Sequence, residues 1–250
     1  MNPRDCVEAD PFLYFSGLRG PGPDGRFSSD THEQAAAAFD TLANLLRERG
    51  LTMRHVVKVT MFMGDLAYRD PIHEIWLRVF PEDPPARVSF QIADAGVEPG
   101  DGAQFVLDVI ALARPEALAG RRTVNGPEGG TRHMTGMVNA TQGGGMIFFS
   151  AIRGRDAVTK KFTDDTRTQA RQAFENLKTI LEYEGGSLAD IVKVTLYMND
   201  VAYRNPFHEV WKEYFPENPP ARTAVGVVNA SASPRGKPHF VLDVTAIARS

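Results

Sequence analysis

The sequence predicts an α+β fold made of two tandem copies of one β-α-β-α-β-β unit, each a mixed sheet with two helices on one face. First, residues 56–87 align without a gap on 191–222, with 20 identities in 32 positions, where average residue usage gives about two by chance. Second, strand and helix patterns follow one order in both copies. Third, a Gly-, Pro- and Arg-rich stretch separates them. We therefore expect domains at 1–114 and 131–250, joined by a linker at 115–130.

Each copy is predicted to begin with an apolar, aromatic-rich strand, with room for one extra strand before it. A long helix follows, at about 31–49 and 165–184, with Gly50 and Gly185 at C-cap positions. A shorter helix comes after the second strand, and we expect it to begin with a proline after Asp70 or Asn205, residues preferred as caps. The expected strands are 12–18, 57–61, 86–93 and 104–112 in the first copy, and 146–152, 192–196, 221–228 and 239–247 in the second.

Composition narrows the possible partners and compartments. The net charge of -3, with no run of Lys or Arg longer than two, argues against a nucleic-acid partner. The single cysteine excludes an internal disulfide, which is typical of a reducing compartment. No apolar segment is typical of a signal peptide or of a membrane span. The residues four after His73 and His208 are Leu77 and Lys212, so the zinc motif is incomplete. We expect a cytoplasmic protein without a membrane partner or a bound metal.

Three sequence motifs that recur in both copies carry a family resemblance. They are Val-Lys-Val-Thr at 57–60 and 192–195, Pro-Pro-Ala-Arg at 84–87 and 219–222, and the closing Val-Leu-Asp-Val segments at 106–109 and 241–244. In this order of elements they resemble the Rid (YjgF/YER057c/UK114) family of imine deaminases, over nearly all of the chain except its termini and linker. The resemblance implies Rid-like (chorismate-mutase-like) domains, trimers that close a central barrel, a pocket at each interface, and hydrolysis of 2-imino or enamino acids without a cofactor.

The resemblance implies that Arg87 and Arg222 bind the substrate. A guanidinium grips a carboxylate with two hydrogen bonds, and it draws electron density from an adjacent C=N carbon. The alternative is that an arginine at this position starts a strand and forms a surface salt bridge. Recurrence in both copies, inside the family motif, favours binding. His73 and His208, where the family often has Asn, lie either in the pocket or on the helix surface; we favour the pocket because both copies keep them.

The chain departs from the family at the residue thought to hold the attacking water. That glutamate is replaced by Ile110 in the first copy and Thr245 in the second, and neither is a general base. Asp108 and Asp243 lie two residues earlier, on the same strand face. Two roles remain open for these aspartates, replacement of the missing acid or pairing with an arginine at the edge of the core. Thr245, which is polar, is a candidate substrate contact.

Two further arginines follow the Ser-containing end of the first strand in each copy. Ser16 precedes Arg19, and Ser150 precedes Arg153. The resemblance places this strand end beside the pocket, so the serines and arginines are candidate substrate contacts. If the arginines point inward, the substrate is larger or more anionic than usual for the family. If they point outward, they are an ordinary solvated strand end.

The sequence thus predicts a Rid-type hydrolase for a small anionic imine, enamine or related conjugated acid, similar to a 2-iminobutanoate/2-iminopropanoate deaminase. Two alternatives remain: a ligand-binding or interaction protein without catalysis, and a pathway enzyme similar to chorismate hydrolases. An open sheet edge must be covered, so we expect a homotrimer of chains. The favoured arrangement stacks a ring of first copies on a ring of second copies. The second copy is closer to the family, so we expect it to carry more of the function.

Overall fold

A computed structural model describes residues 6–96, 100–126, 135–230 and 237–249. In the first copy the elements are β1 (Cys6–Ala9), β2 (Phe12–Leu18), α1 (Thr31–Arg47), β3 (Val56–Met63), α2 (Arg69–Val79), β4 (Ala86–Gln91) and β5 (Phe105–Leu112). After it come β6 (Arg122–Val124), β7 (Ala140–Gly143), β8 (Met146–Phe149), α3 (Thr166–Tyr183), β9 (Ile191–Met198), α4 (Arg204–Tyr214), β10 (Ala221–Gly226) and β11 (Phe240–Ile247).

Each copy forms one mixed sheet, which confirms the predicted fold class. The first sheet has the order β1-β2-β5-β3-β4 and the second the order β10-β9-β11-β8-β7-β6. In both, the strand after the second helix runs parallel to the strand before it, and the other pairs are antiparallel. The helices bury an apolar stripe on one face of the sheet, around Phe39 and Trp76 in one core and Phe174 and Trp211 in the other.

The start of the second helix differs from the prediction. Asp70 is not its cap; the helix begins at Arg69, and a single 3-10 turn from Leu66 to Tyr68 runs directly into it. Asp65 caps that turn by accepting a hydrogen bond from the backbone N–H of Ala67 at 2.8 Å. The second copy repeats the arrangement with Asp200. The proline then lies inside the first helical turn, where a missing N–H costs nothing. No helix in the described ranges is long and apolar enough to cross a bilayer.

The segment expected to be a linker has structure of its own. Residues Pro115–Gly120 form 3-10 turns, and β6 pairs with β7 at the edge of the second sheet. Arg121 fixes the segment to the first copy, since its Nε donates to the carbonyl of Val56 at 3.0 Å and its Nη2 to the carbonyl of Asp83 at 2.8 Å. Burial lowers the pKa of Arg121 to about 10. The connection therefore holds both copies rather than spanning a gap between them.

The two copies lie side by side, through the sheet faces that the helices leave free. One apolar cluster joins Val57 and Ala86 to Phe148, and another joins Phe90 to Val241. Backbone hydrogen bonds add to the contact, because 91 and 229 form a β-bridge. The sequence favoured different rings for the two copies of a chain, but they pack directly on each other. The counterpart of β4 in the second copy, β10, is largely exposed.

Candidate functional site

Arg87, the second residue of β4, is a buried cation held against the second helix. Only 4% of the residue is exposed. Its guanidinium lies over the Trp76 ring, 4.7 Å from the centroid, and Nη1 lies 3.2 Å from Nδ1 of His73. Its Nε is buried without a hydrogen-bond partner. The pKa of Arg87 is lowered to about 9, mainly by burial and then by the charges of Arg69 and Arg153.

The second copy completes the surroundings of Arg87. The backbone N–H of Arg87 donates to Oγ of Ser150 at 3.0 Å, and the N–H of Ala151 donates to the Arg87 carbonyl at 3.1 Å. Two residues beyond this contact lies Arg153, whose Nε is also buried without a partner. Asn176 of α3 fixes the backbone there, because its Nδ2 donates to the Arg153 carbonyl at 3.0 Å. The interface between the copies thus brings side chains of both together around Arg87.

We call Arg69, Arg87 and Arg153 the arginine cluster. The pKa of Arg153 is lowered to about 10, mainly by burial and then by the charges of Arg155 and Arg69. Arg69 has an acidic partner, since its Nε lies 2.9 Å from Oδ1 of Asp70. Within the described ranges, no carboxylate forms an ion pair with Arg87 or Arg153. Both guanidinium groups therefore have a buried Nε donor without a partner, an arrangement that suits an anionic ligand.

His73 positions Arg87 and is neutral in this arrangement. A guanidinium can only donate, so Nδ1 of His73 must accept and the ring proton must lie on Nε2. Burial lowers the pKa of His73, and the charge of Arg87 lowers it further, whereas a hydrogen bond to the backbone of Thr135 raises it. Trp76 is held from the same side, because its Nε1 donates to the carbonyl of Gly136 at 2.9 Å. The start of the second copy therefore fixes two side chains of the first.

The corresponding set in the second copy is open. Arg222 lies 4.5 Å from the centroid of Trp211, and its Nη2 lies 3.0 Å from Nδ1 of His208. Its pKa is lowered by burial and by Arg204, and the pKa of His208 is lowered by burial and by Arg222. Arg222 is only partly buried, although its Nη1 is enclosed without a hydrogen-bond partner, and among the described residues it has no hydrogen bond to the first copy. From the sequence we expected the second copy to carry the larger share of the function. In the structure, it is Arg87 of the first copy that is surrounded by residues of both copies.

Four of the expected site residues lie elsewhere, in a cavity of about 300 Å³ between the two sheets: Ser16, Asp108, Asp243 and Thr245. Asp108 accepts hydrogen bonds from Oγ of Ser16 at 2.6 Å and from the N–H of Gly17 at 3.1 Å. Asp243 pairs with Lys58 at 2.7 Å. The sequence grouped these residues with the arginines. They are separate because the aspartates face the other copy, whereas Arg87 faces Trp76 on the helical side of its sheet.

Arg19, the counterpart of Arg153, has its own acidic partner. Its Nη1 lies 3.0 Å from Oδ2 of Asp101, and its guanidinium lies 5.5 Å from the centroid of Phe27. The two arginines were expected to share one role, but only Arg153 lies beside a substrate-binding candidate in this chain. Ser150 also differs from Ser16, since it accepts from the backbone of Arg87.

Three important side chains were missed as site residues: Arg69, Trp76 and Lys58. Each lies in a word repeated in both copies, Ala-Tyr-Arg, His-Glu-x-Trp and Val-Lys-Val-Thr, so the repeat itself was the available signal. In the parts of the chain that the structure describes, no group of three or more His, Cys, Asp or Glu side chains could hold a metal ion.

Comparison with known proteins gives two matches to one family model. The model described as Endoribonuclease L-PSP matches residues 4–111 and again residues 132–248. The two matches together span most of the chain, and each covers one copy.

Individual relatives also match one copy at a time. A RutC family protein of Pyrococcus horikoshii is 40% identical over 89 residues, which are 35% of this chain and 71% of the relative. A 2-iminobutanoate/2-iminopropanoate deaminase of Dermatophagoides farinae is 32% identical over 97 residues, 38% of this chain and 76% of the relative. The 3-aminoacrylate deaminase RutC of Acinetobacter baylyi is 30% identical over 125 residues, which are 49% of this chain and 93% of the relative. A crystal structure of RidA from an Antarctic Psychrobacter is 27% identical with a TM-score of 0.46, and covers 50% of this chain and 99% of its own.

Proposed function

The chain belongs to the Rid family, whose Endoribonuclease L-PSP model matches both copies, and we propose that it hydrolyses a small anionic imine, enamine or related conjugated acid to a 2-oxo acid and ammonia. Relatives named as a 2-iminobutanoate/2-iminopropanoate deaminase and as a 3-aminoacrylate deaminase support this class of reaction. The net charge of -3 gives no support to an RNA substrate. We place the reaction at the arginine cluster.

The observation that carries the proposal is the buried, incompletely bonded guanidinium of Arg87. A charge removed from water is costly unless it is paired and hydrogen-bonded. Arg87 has a ring below it, a neutral histidine beside it, and no carboxylate partner within the described ranges. A substrate carboxylate supplies the missing charge and accepts two parallel N–H groups. The site is therefore preorganised for a small carboxylic acid rather than for a neutral molecule.

The proposed hydrolysis needs little more than this binding of the substrate carboxylate by Arg87. The bound carboxylate is adjacent to the C=N carbon, and the guanidinium draws electron density from it. Water adds to that carbon and loses a proton, the nitrogen gains protons, and the C–N bond breaks to release ammonia and leave a C=O group. His73 is a positioning residue, because its Nδ1 is committed to Arg87. Among the described residues, no carboxylate contacts Arg87, so none is placed there to act as a general base on the attacking water. We therefore expect modest rates of hydrolysis for simple imines.

The test is the decay of a 2-imino acid generated in situ, followed with and without the protein. We expect Arg87→Ala to remove most of the acceleration, and Arg87→Lys not to restore it, because an ammonium lacks the planar two-donor geometry. Arg171→Ala is the matched control, since Arg171 is an exposed arginine of α3 paired with Glu213 at 2.7 Å. Unchanged decay with Arg87→Ala would rule out the assigned role.

The second candidate is a ligand-binding protein without turnover. It is favoured by one observation, the lack among the described residues of a carboxylate that contacts Arg87, since Asp70 is paired with Arg69. The same assay separates the two candidates. Saturable binding of 2-oxo acids together with no acceleration of imine decay by the wild-type protein would establish the second.

A further inference from the structure

The arginine cluster at the interface between the copies has more positive charge than one carboxylate neutralises. Arg69 is paired with Asp70, and His73 is neutral. Arg87 and Arg153 remain, each with a buried Nε that has no hydrogen-bond partner. Neither has a carboxylate partner in the described ranges. Arg87 and Arg153 therefore carry two positive charges that no carboxylate among the described residues neutralises, and each has an unused Nε donor.

Arg153 is held in place rather than being a loose strand end. Asn176, itself 4% exposed, donates to the carbonyls of both Arg153 and Arg155 at 3.0 Å. Gly154 packs so tightly on α3 that a Cβ atom there would lie 1.9 Å from the carbonyl oxygen of Gln169. The backbone contact of Ala151 with Arg87 fixes the register two residues before. Its position beside Arg87 is thus set by the main chain.

The first copy offers a comparison for Arg153, because the matching arginine there has an acidic partner. Arg19 has the same place at the end of its strand, but it forms an ion pair with Asp101 at 3.0 Å. The charge of Arg19 is therefore neutralised within its own copy. Arg153 has no such partner among the described residues, and it lies at the interface where Arg87 is also unpaired. The difference between two otherwise matched arginines points to a ligand group beside Arg153.

We propose that the arginine cluster binds a dianion, a 2-imino or 2-enamino dicarboxylic acid whose first carboxylate is held by Arg87 and whose second is held by Arg153. The imine part of this statement rests on the function proposed above. The charge part does not, because it follows from the two unpaired guanidinium groups. Arg153 then determines specificity, since it distinguishes a dicarboxylate from the monocarboxylate of the same chain length.

Binding of stable 2-oxo acids, the product class, tests the charge directly. Affinities are measured by calorimetry for 2-oxobutanoate, oxaloacetate and 2-oxoglutarate with the full-length protein. We expect at least one dicarboxylate to bind about tenfold or more tightly than 2-oxobutanoate, as a charge-assisted bidentate pair provides. Arg153→Ala should remove that preference and change the 2-oxobutanoate affinity less than about twofold. Arg153→Gln repeats the test with a side chain of similar length, and Arg171→Ala should change nothing.

Several outcomes would overturn the inference. They are equal wild-type affinities for mono- and dicarboxylates, equal losses for both classes with Arg153→Ala, or inorganic sulfate binding as tightly as the best dicarboxylate. The assay needs no turnover, so the two proposals fail separately. A dicarboxylate preference without imine hydrolysis would sustain the binding inference and reject the enzyme. Imine hydrolysis that depends on Arg87, without a dicarboxylate preference, would sustain the proposed enzyme and reject the binding inference.

Discussion

Lys58 of the first copy and Asp243 of the second form an ion pair across the interface, with Nζ 2.7 Å from Oδ1. Lys58 is 4% exposed, and its Nζ also donates to the carbonyl of Phe149. The side chain of Asp243 is 18% exposed. This pair links the central strands of the two sheets, so the interface between the copies includes a buried charge that neither copy satisfies alone.

Lys58→Met should destabilise the protein by about 3 kcal/mol, because it leaves the Asp243 carboxylate partly buried without its partner. The measurement is the free energy of unfolding in urea. Lys193→Met is the matched control, since Lys193 has the same place in the second copy, is exposed, and has no ion pair within the described ranges; we expect less than about 0.5 kcal/mol. Equal effects of the two variants would contradict the assigned role of the pair.

His73 should weaken the protein in mild acid. Burial and Arg87 lower its pKa below the ordinary value of 6.5. The unfolded chain therefore binds this proton at a higher pH than the folded chain, so stability falls as the pH drops through 6.5 toward the lowered value. His73→Gln should make that fall shallower. His32→Gln should make it steeper, because hydrogen bonds to Glu74 and Asp30 raise the pKa of His32. Unfolding free energies between pH 7 and 5 decide both signs.

Gly154→Ala should destabilise the protein by about 1–3 kcal/mol, since the added Cβ meets the backbone carbonyl of Gln169, which cannot move aside like a flexible side chain. Gly120→Ala is the control, because a Cβ there has no atom within 4 Å. Melting temperatures measure both. If the Gly154→Ala variant has the melting temperature of the wild type, this strand end does not pack closely on α3.

The two arginine sets should contribute unequally to activity. Arg87 is surrounded by residues of both copies, whereas Arg222 has only its own, so Arg87→Ala should lower kcat/KM for a 2-imino acid by a factor several times larger than Arg222→Ala does. Initial rates of the two single variants at one protein concentration give the ratio. A larger loss from Arg222→Ala would restore the expectation drawn from the sequence.

The sequence was sufficient for the fold because strand and helix periodicity and a 32-residue repeat each point to the same unit. It also singled out Arg87 and His73 as candidates, since both recur as Arg222 and His208, and their role in the site stays a prediction. It did not separate Asp108 from the arginine cluster, because the face to which a side chain points depends on the register of the whole sheet. It also misplaced the cap at Asp70, since Asp65 starts a turn that runs into the helix.

A repeat carries no information about which copy covers which, and this is why the arrangement of the copies was not predictable. β4 and β10 occupy the same place in the repeat and share their first two residues, Ala-Arg, yet β4 is buried and β10 is exposed. The domain limits at 1–114 and 131–250, the homotrimer and the cytoplasmic location stay predictions. Light scattering on the 27.5 kDa chain measures the second of these.

Because Arg87 and Arg153 belong to one polypeptide, their meeting is a unimolecular event. Dilution cannot separate them, so the affinity of the proposed site for its ligand should be the same at nanomolar and at micromolar protein. A site shared between separate molecules would instead weaken as its subunits dissociate. In this chain a covalent connection takes the place of a concentration-dependent encounter, through the segment in which Arg121 donates to the carbonyls of Val56 and Asp83.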